Sequence, residues 1–149
     1  MTERAAPAMR DGFAIFYSLN TRWADNDIYG HINNVAYYAF FDSVVNRFLI
    51  QEGGMRPGHD NVVGYVVNSA ADYFSPLTYP QELELGLRVQ RMGEKSVTWE
   101  IGVFGQGDKL SSVTGRFTHA FVDREANKSA SIPADIRRAI EMLNLSAGL

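Results

Sequence analysis

The residues best suited to chemistry lie together in one short segment between a strand-like pattern and a long helical pattern. They are two carboxylates, an imidazole and two carboxamides: Asp25, Asp27, His31, Asn33 and Asn34. A carboxylate aimed at a helix N-terminus suits attack on a carbonyl or its hydration. Unpaired N–H groups and the positive end of the helix dipole stabilise the oxygen that becomes negative there. The segment therefore predicts carbonyl chemistry.

The acidic residues and the histidine also have structural interpretations. Asp27 could form the turn or cap the helix, and we expect Asp25 to accept backbone N–H bonds that shape the turn. Two nearby carboxylates could bind a divalent metal. No third acidic ligand lies nearby, so we expect neither a metal nor a cofactor. His31 could be a base, a metal ligand or a structural side chain.

The helix start offers main-chain chemistry as well as a cap. Asn33 and Asn34 precede the apolar helical pattern and would cap it. An N–H group near Asn34 would also be placed to bind an oxyanion, and the two roles are compatible. Gly30 permits a close backbone approach or a positive φ. Tyr37 is expected in the core or in the lining of the site.

Two patterns flank this segment. A period-two pattern before it predicts a strand. The residues on one face of this strand are Phe13, Ile15, Tyr17, Leu19, Thr21 and Trp23. Helical spacing over residues 35–50 predicts a long helix, with apolar positions at Tyr37, Phe40, Phe41, Val44, Val45, Phe48 and Leu49. Gly53 and Gly54 end that helix.

The rest of the chain reads mostly as strands. Residues 62–74 predict one strand, and alternation predicts three more after it, with hairpin turns at 93–95 and 105–108. A short helix follows near Pro133. This order predicts an α+β fold in which an antiparallel sheet of about five strands wraps around one long helix. We expect its outer face to pack on another subunit.

The composition is that of an ordinary globular chain. It has 149 residues, 46% of them hydrophobic, which predicts a single domain over 13–149 after a flexible tail over 1–12. The net charge of −3 argues against nucleic-acid binding. The lack of cysteine excludes disulfides and a cysteine nucleophile. No apolar run reaches a membrane span, so we expect a cytoplasmic protein.

Four segments together resemble a known family. They are residues 25–34, 72–77, 93–96 and 132–133, of which the first is the most specific. The chain resembles the hot-dog fold acyl-CoA thioesterases of the 4-hydroxybenzoyl-CoA thioesterase type. The resemblance implies hydrolysis of acyl-CoA with Asp27 as nucleophile or general base and the N–H near Asn34 as oxyanion donor. It also implies a homodimer or homotetramer with active sites at subunit interfaces.

The same resemblance suggests roles for the remaining candidates. The Gly30–His31 pair would shape the turn and line the site, and Tyr29, Asn33 and Tyr37 would contact substrate. Basic residues at one hairpin could meet the CoA phosphates, or they could form only a solvated edge: Arg88, Arg91 and Lys95, with Ser96 beside them. Other possibilities are a hydratase or dehydratase acting on acyl thioesters, and a non-catalytic acyl-thioester binding protein.

Overall fold

One antiparallel sheet and two helices make up the fold in the computed structural model, which describes residues 5–146. The elements in chain order are β1 (Ile15–Asn20), α1 (Asn34–Gln51), β2 (Val62–Tyr73), β3 (Glu82–Met92), β4 (Ser96–Gly105), β5 (Val113–Asp123), β6 (Lys128–Ser129) and α2 (Ala134–Ser146). The α+β class is thereby confirmed. The sheet has six strands rather than about five, because the two-residue β6 carries no alternation that could reveal it.

The strand pairing places the end of β2 and the β3–β4 hairpin at opposite ends of the sheet. The order is β1-β3-β4-β5-β2, with β6 paired to β5, so β1 and β2 are edge strands. At one end, Val113 lies between Tyr73 of β2 and Val103 of β4. We call this the Tyr73 end. The β3–β4 hairpin, with Lys95 in its turn, lies at the opposite end, which we call the hairpin end.

The helix α1 packs against β3, β4 and β5 at the centre of the sheet. All seven apolar residues predicted for its core positions are buried, because helical spacing keeps them on the sheet-facing side. Opposite Phe41 the sheet carries Gly115, and a Cβ there would overlap the Phe41 ring. This glycine therefore lets α1 approach the sheet closely.

The outer face of the sheet carries both charged and apolar side chains. Leu and Val of β3 and β4 face the helix and are buried in the main core. The outer face instead carries an ion pair between Arg88 and Glu100, at 3.0 Å, and a small apolar cluster that includes Phe13 and Phe104. Phe13 lies over Gly86, where a Cβ would collide with its ring.

The segment before β1 is held against the sheet from Ala8 onward, whereas the sequence predicts a flexible tail over 1–12. Ala8 N–H donates to Ser111 Oγ at 2.9 Å, and the N–H of Arg10 donates to the Lys109 carbonyl at 2.8 Å. The predicted tail also includes residues 1–4, which lie outside the described residues. The packed part of the domain thus begins before residue 13.

The first strand is shorter than its alternation predicts. It ends at Asn20, and Trp23 lies in the 3-10 turn Trp23–Asp25 with 74% of its surface exposed. The placement of Trp23 on one strand face with Ile15 and Tyr17 was therefore wrong. The same placement was wrong for Phe13, which precedes β1 and packs with Ala8 and Phe104 instead. The chain leaves the sheet once Thr21 N–H has bonded to the Gln81 carbonyl, at 2.9 Å.

The C-terminal helix follows the prediction. It begins at Ala134, directly after Pro133, and buries Ile136, Ile140 and Leu143. Neither α1 nor the described part of α2 is both long and apolar enough to cross a membrane.

Candidate active site

The segment between β1 and α1 folds into a closed turn. The N–H of Asp27 donates to the His31 carbonyl at 2.7 Å, and Asn26 and Ile32 form an isolated antiparallel bridge around the same turn. Gly30 has a φ of 78°, which a glycine adopts without strain. Ile32 N–H reaches the Leu77 carbonyl at 2.8 Å, so the turn is anchored to the segment that follows β2 at the Tyr73 end.

The carboxylate of Asp27 has one oxygen bound and one free. Its Oδ1 accepts hydrogen bonds from the N–H groups of Tyr29, at 2.8 Å, and His31, at 3.2 Å. Its Oδ2 accepts none from the described residues. The turn's own backbone therefore orients the carboxylate and leaves one oxygen available to a ligand.

The start of α1 also presents a free donor. Asn33 is the N-cap, and its side-chain oxygen accepts the N–H of Val35 at 2.9 Å. The N–H of Asn34 has no acceptor within residues 5–146. It lies at the positive end of the helix dipole, where an anionic oxygen is stabilised.

Asp27 and Asn34 line the same open pocket, of about 600 Å³. The other lining residues are Tyr29, His31, Ile32, Asn33, Tyr37, Tyr73, Phe74, Ser75 and Pro76. A residue with a free carboxylate oxygen and a residue with a free N–H donor thus line one cavity, together with the aromatic residues Tyr29, Tyr37, Tyr73 and Phe74. This arrangement can hold a carbonyl carbon near a nucleophile or a water while its oxygen is polarised.

Comparison with known proteins agrees with this geometry. Residues 21–140 match the model of the thioesterase-like superfamily. The chain belongs to this superfamily. Its resemblance to hot-dog thioesterases, predicted from the sequence, is confirmed by this match together with solved structures.

Solved structures of similar fold cover nearly the whole chain. The PA5185 protein of Pseudomonas aeruginosa strain PAO1 is 45% identical, with a TM-score of 0.89 over 93% of this chain and 96% of that one. Slr0204, a 1,4-dihydroxy-2-naphthoyl-CoA thioesterase from Synechocystis, is 14% identical, with a TM-score of 0.78 over 87% and 96%. The SAV2348 protein of Staphylococcus aureus, solved in complex with CoA, is 14% identical, with a TM-score of 0.80 over 97% and 89%.

Tyr37 forms the inner wall of the pocket in this superfamily member. It is 3% exposed and makes edge-to-face contacts with Phe40, at 5.9 Å between ring centroids, and Tyr73, at 5.6 Å. Burial, reinforced by Tyr73 and Asp27, raises the pKa of Tyr37 to about 12. Its hydroxyl is therefore protonated at neutral pH.

His31 contributes its backbone to the turn of this thioesterase-like chain. Its N–H and carbonyl both bond to Asp27, while its exposed imidazole makes no hydrogen bond to the described residues. His31 also lines the pocket. The main chain of His31 therefore shapes the turn.

The basic candidates lie elsewhere in the chain. Arg88 pairs with Glu100 and stacks on Phe13, with 4.4 Å between its guanidinium carbon and the ring centroid. Lys95 approaches Ser129 at 3.5 Å, and Arg91 is exposed. Neither these three cations nor Ser96 line the Asp27 pocket. Within one chain, the structure does not bring this group together with the catalytic candidates.

Five lining residues were not predicted as site residues. One of them, Ile32, lies in the turn itself, and the other four form one segment at the end of β2: Tyr73, Phe74, Ser75 and Pro76. Their segment belongs to the family resemblance, and that resemblance was the signal that could have identified them. The spacing of these four residues gives no such signal, because only the pairing of β2 within the sheet brings them to the site.

Proposed function

We propose that the protein hydrolyses acyl-CoA thioesters to the free acid and CoA. The observation that carries the proposal is that Asp27 and Asn34 line one pocket, while Asp27 Oδ2 and the Asn34 N–H have no hydrogen-bond partner among the described residues. Membership of the thioesterase-like superfamily supports thioester hydrolysis in general. Similar folds named as gentisyl-CoA and dihydroxynaphthoyl-CoA thioesterases and the fold solved with CoA support an acyl-CoA substrate.

The chemistry follows from the two groups. Asp27 Oδ2 either attacks the thioester carbonyl carbon or takes a proton from an attacking water. The carbonyl oxygen becomes negative and is stabilised by the Asn34 N–H. The C–S bond then breaks, and CoA leaves as a thiolate that takes up a proton. On the nucleophilic route, water next hydrolyses the acyl anhydride at Asp27 and restores the carboxylate.

We propose that the pocket binds substrate between two copies of the chain. The ten residues of β4 separate the Tyr73 end from the hairpin end by about 33 Å at the usual strand rise. Antiparallel pairing of the β2 edges of two copies would place the hairpin end of one beside the Tyr73 end of the other. Arg91 and Lys95 of a partner could then approach the CoA phosphates.

The exposed edge of β2 supports this assembly. The strand has twelve residues and only β5 as neighbour. Its middle exposes three large side chains, Tyr65, Val66 and Val67, at 52, 47 and 62%. A long, apolar edge strand is a template for pairing with another chain. The interface proposed here is a symmetric one between β2 strands.

The test is an acyl-CoA hydrolysis screen, with release of the CoA thiol followed by a thiol-trapping dye, for the wild type and Asp27→Asn. The substitution keeps the size of the side chain but removes the charge. We expect turnover to fall at least ~100-fold while the thermal unfolding midpoint stays close to that of the wild type. A folded Asp27→Asn variant with wild-type turnover would rule out Asp27. Hydration of enoyl-CoA, or binding without turnover, would contradict the hydrolase.

A further inference from the structure

We propose that Asp25 is a positioning residue that sets both halves of the active site, an inference that rests on the proposed thioester hydrolysis. It lies two residues before Asp27 and is 2% exposed. Its carboxylate binds Arg22, on the β1 side of the turn, and its backbone carbonyl binds Asn33, on the α1 side. One residue thereby determines where Asp27 and the Asn34 N–H stand relative to each other.

The carboxylate of Asp25 is bound entirely by Arg22. Its Oδ2 accepts the backbone N–H of Arg22 at 2.7 Å, and its Oδ1 accepts Nη2 and Nε of the guanidinium at 2.8 and 3.2 Å. The side chain of Arg22 is 73% exposed and that of Asp25 only 1%. Charge-assisted bonds of this kind are short and directional. They fix the 3-10 turn immediately before Asp27.

The carbonyl of Asp25 reaches across the turn to the start of the helix. It accepts the N–H of Asn33 at 2.8 Å. Asn33 is the N-cap of α1, so its carbonyl belongs to the same peptide unit as the free N–H of Asn34. The bond therefore fixes the peptide that precedes the oxyanion donor, while the side chain of the same residue holds the 3-10 turn that leads to Asp27.

Correct spacing of these two groups matters for the rate. A carbonyl carbon must lie close to Asp27 Oδ2 while its oxygen meets the Asn34 N–H. A misplacement of about 1 Å can cost roughly 100-fold in rate. Loss of the Asp25 anchor should therefore lower kcat and change KM little, because the pocket walls that bind the substrate remain.

The experiment compares Asp25→Asn and Arg22→Met with the wild type and with a control, Glu84→Gln. The control removes a different ion pair, Arg10–Glu84 at 3.0 Å, on the outer face of the sheet. For Asp25→Asn we expect kcat per folded molecule to fall about 10- to 100-fold with KM within about twofold. Glu84→Gln should lower the unfolding midpoint and leave kcat unchanged. Hydrogen exchange at the Asn33 amide should become faster only in the turn variants.

Arg22→Met keeps the test open if Asp25→Asn does not fold, because Arg22 is exposed and its backbone N–H bond to Asp25 remains. It should lose roughly 3- to 10-fold in kcat, since only the guanidinium contacts disappear. Wild-type kcat in the folded variants, or a loss matched by Glu84→Gln, would overturn the role of Asp25. If the wild type hydrolyses no thioester, the proposed function fails. In that case, hydrogen exchange at the Asn33 amide still tests whether Asp25 anchors the turn. Unchanged protection of this amide in the turn variants would overturn that role.

Discussion

Two aspartates only two residues apart have different environments, and this difference separates their roles. Asp25 is buried, which by itself would raise the pKa of its carboxyl, but the hydrogen bonds and charge of Arg22 outweigh burial and lower that pKa. It is an ionised structural anchor. Asp27 is half-buried, lines the pocket and keeps one oxygen free of partners among the described residues. Environment rather than residue type thus distinguishes the two carboxylates.

A buried histidine makes stability depend on pH. His119 is 3% exposed, and its Nδ1 accepts the indole N–H of Trp99 at 3.1 Å. Burial lowers the pKa of His119, and Asp42 only partly opposes this. The unfolded chain therefore binds a proton that the folded chain does not as pH falls below the ordinary histidine value, near 6.5. We expect the free energy of unfolding to decrease between pH 7 and 5.

Urea unfolding across that range measures the effect for the wild type and His119→Phe. The variant leaves the Trp99 N–H without its acceptor, so its stability should be lower at pH 7. Its decline toward pH 5 should be shallower, because the titrating group is gone. Equal slopes for the two proteins would show that His119 does not cause the decline.

The turn that holds Asp27 could be predicted because the contacts that form it are local in sequence. The residues that hold Asp27 lie within four positions of it, and the donor at Asn34 is only seven positions away. The opposite wall of the pocket could not be predicted from spacing. Tyr73 and Pro76 reach the turn only because β2 ends beside it, and that depends on the strand order.

At the scale of elements, periodic segments were predictable and irregular ones were not. The helix α1 begins and ends within one residue of the predicted range 35–50, since its apolar spacing repeats over four turns. Trp23 was misplaced because alternation continues past the last strand hydrogen bonds. The segment from Ala8 to Gly12 has no repeat at all, and its place depends on distant partners such as Ser111.

The contact between α1 and the sheet gives a prediction at this scale. In Gly115→Ala, the new methyl group would overlap the ring of Phe41. We expect a loss of about 1–3 kcal/mol in the free energy of unfolding, as is usual for overpacked cores. Gly93→Ala is the control, because a Cβ there first meets Ser96 Oγ at 3.4 Å. Urea unfolding compares them, and equal stabilities would contradict close packing at Gly115.

At the scale of the whole molecule, the open edge of β2 predicts a homo-oligomer. Val67→Lys places a charge on the middle of that edge, and charges there oppose strand pairing. Light scattering at micromolar concentration should give at least a dimer for the wild type and a lower mass for the variant. Ile50→Lys, at a position 44% exposed on α1, should keep the wild-type mass. A fully active wild-type monomer would contradict a site shared between subunits.

The nucleotide end of the substrate gives a second prediction at this scale. Contacts from Arg91 and Lys95 to CoA phosphates would be exposed and therefore screened by salt. Raising ionic strength should then raise KM for acyl-CoA with kcat nearly constant. Lys95→Ala or Arg91→Ala should flatten that dependence, whereas Arg138→Ala, on α2, should not. If KM changes neither with salt nor in either hairpin variant, the hairpin is only a solvated edge and does not contact CoA.

The two tryptophans of the chain act as separate optical reporters. Trp99 is fully buried, so its emission lies at short wavelength and shifts to the red only when the core opens. Trp23 is solvated and contacts Tyr79 edge to face at 6.1 Å, beside the turn that holds Asp27. Trp23→Phe therefore leaves a spectrum that follows unfolding alone. The difference from the wild-type spectrum isolates the light emitted by Trp23, two residues before the buried Asp25.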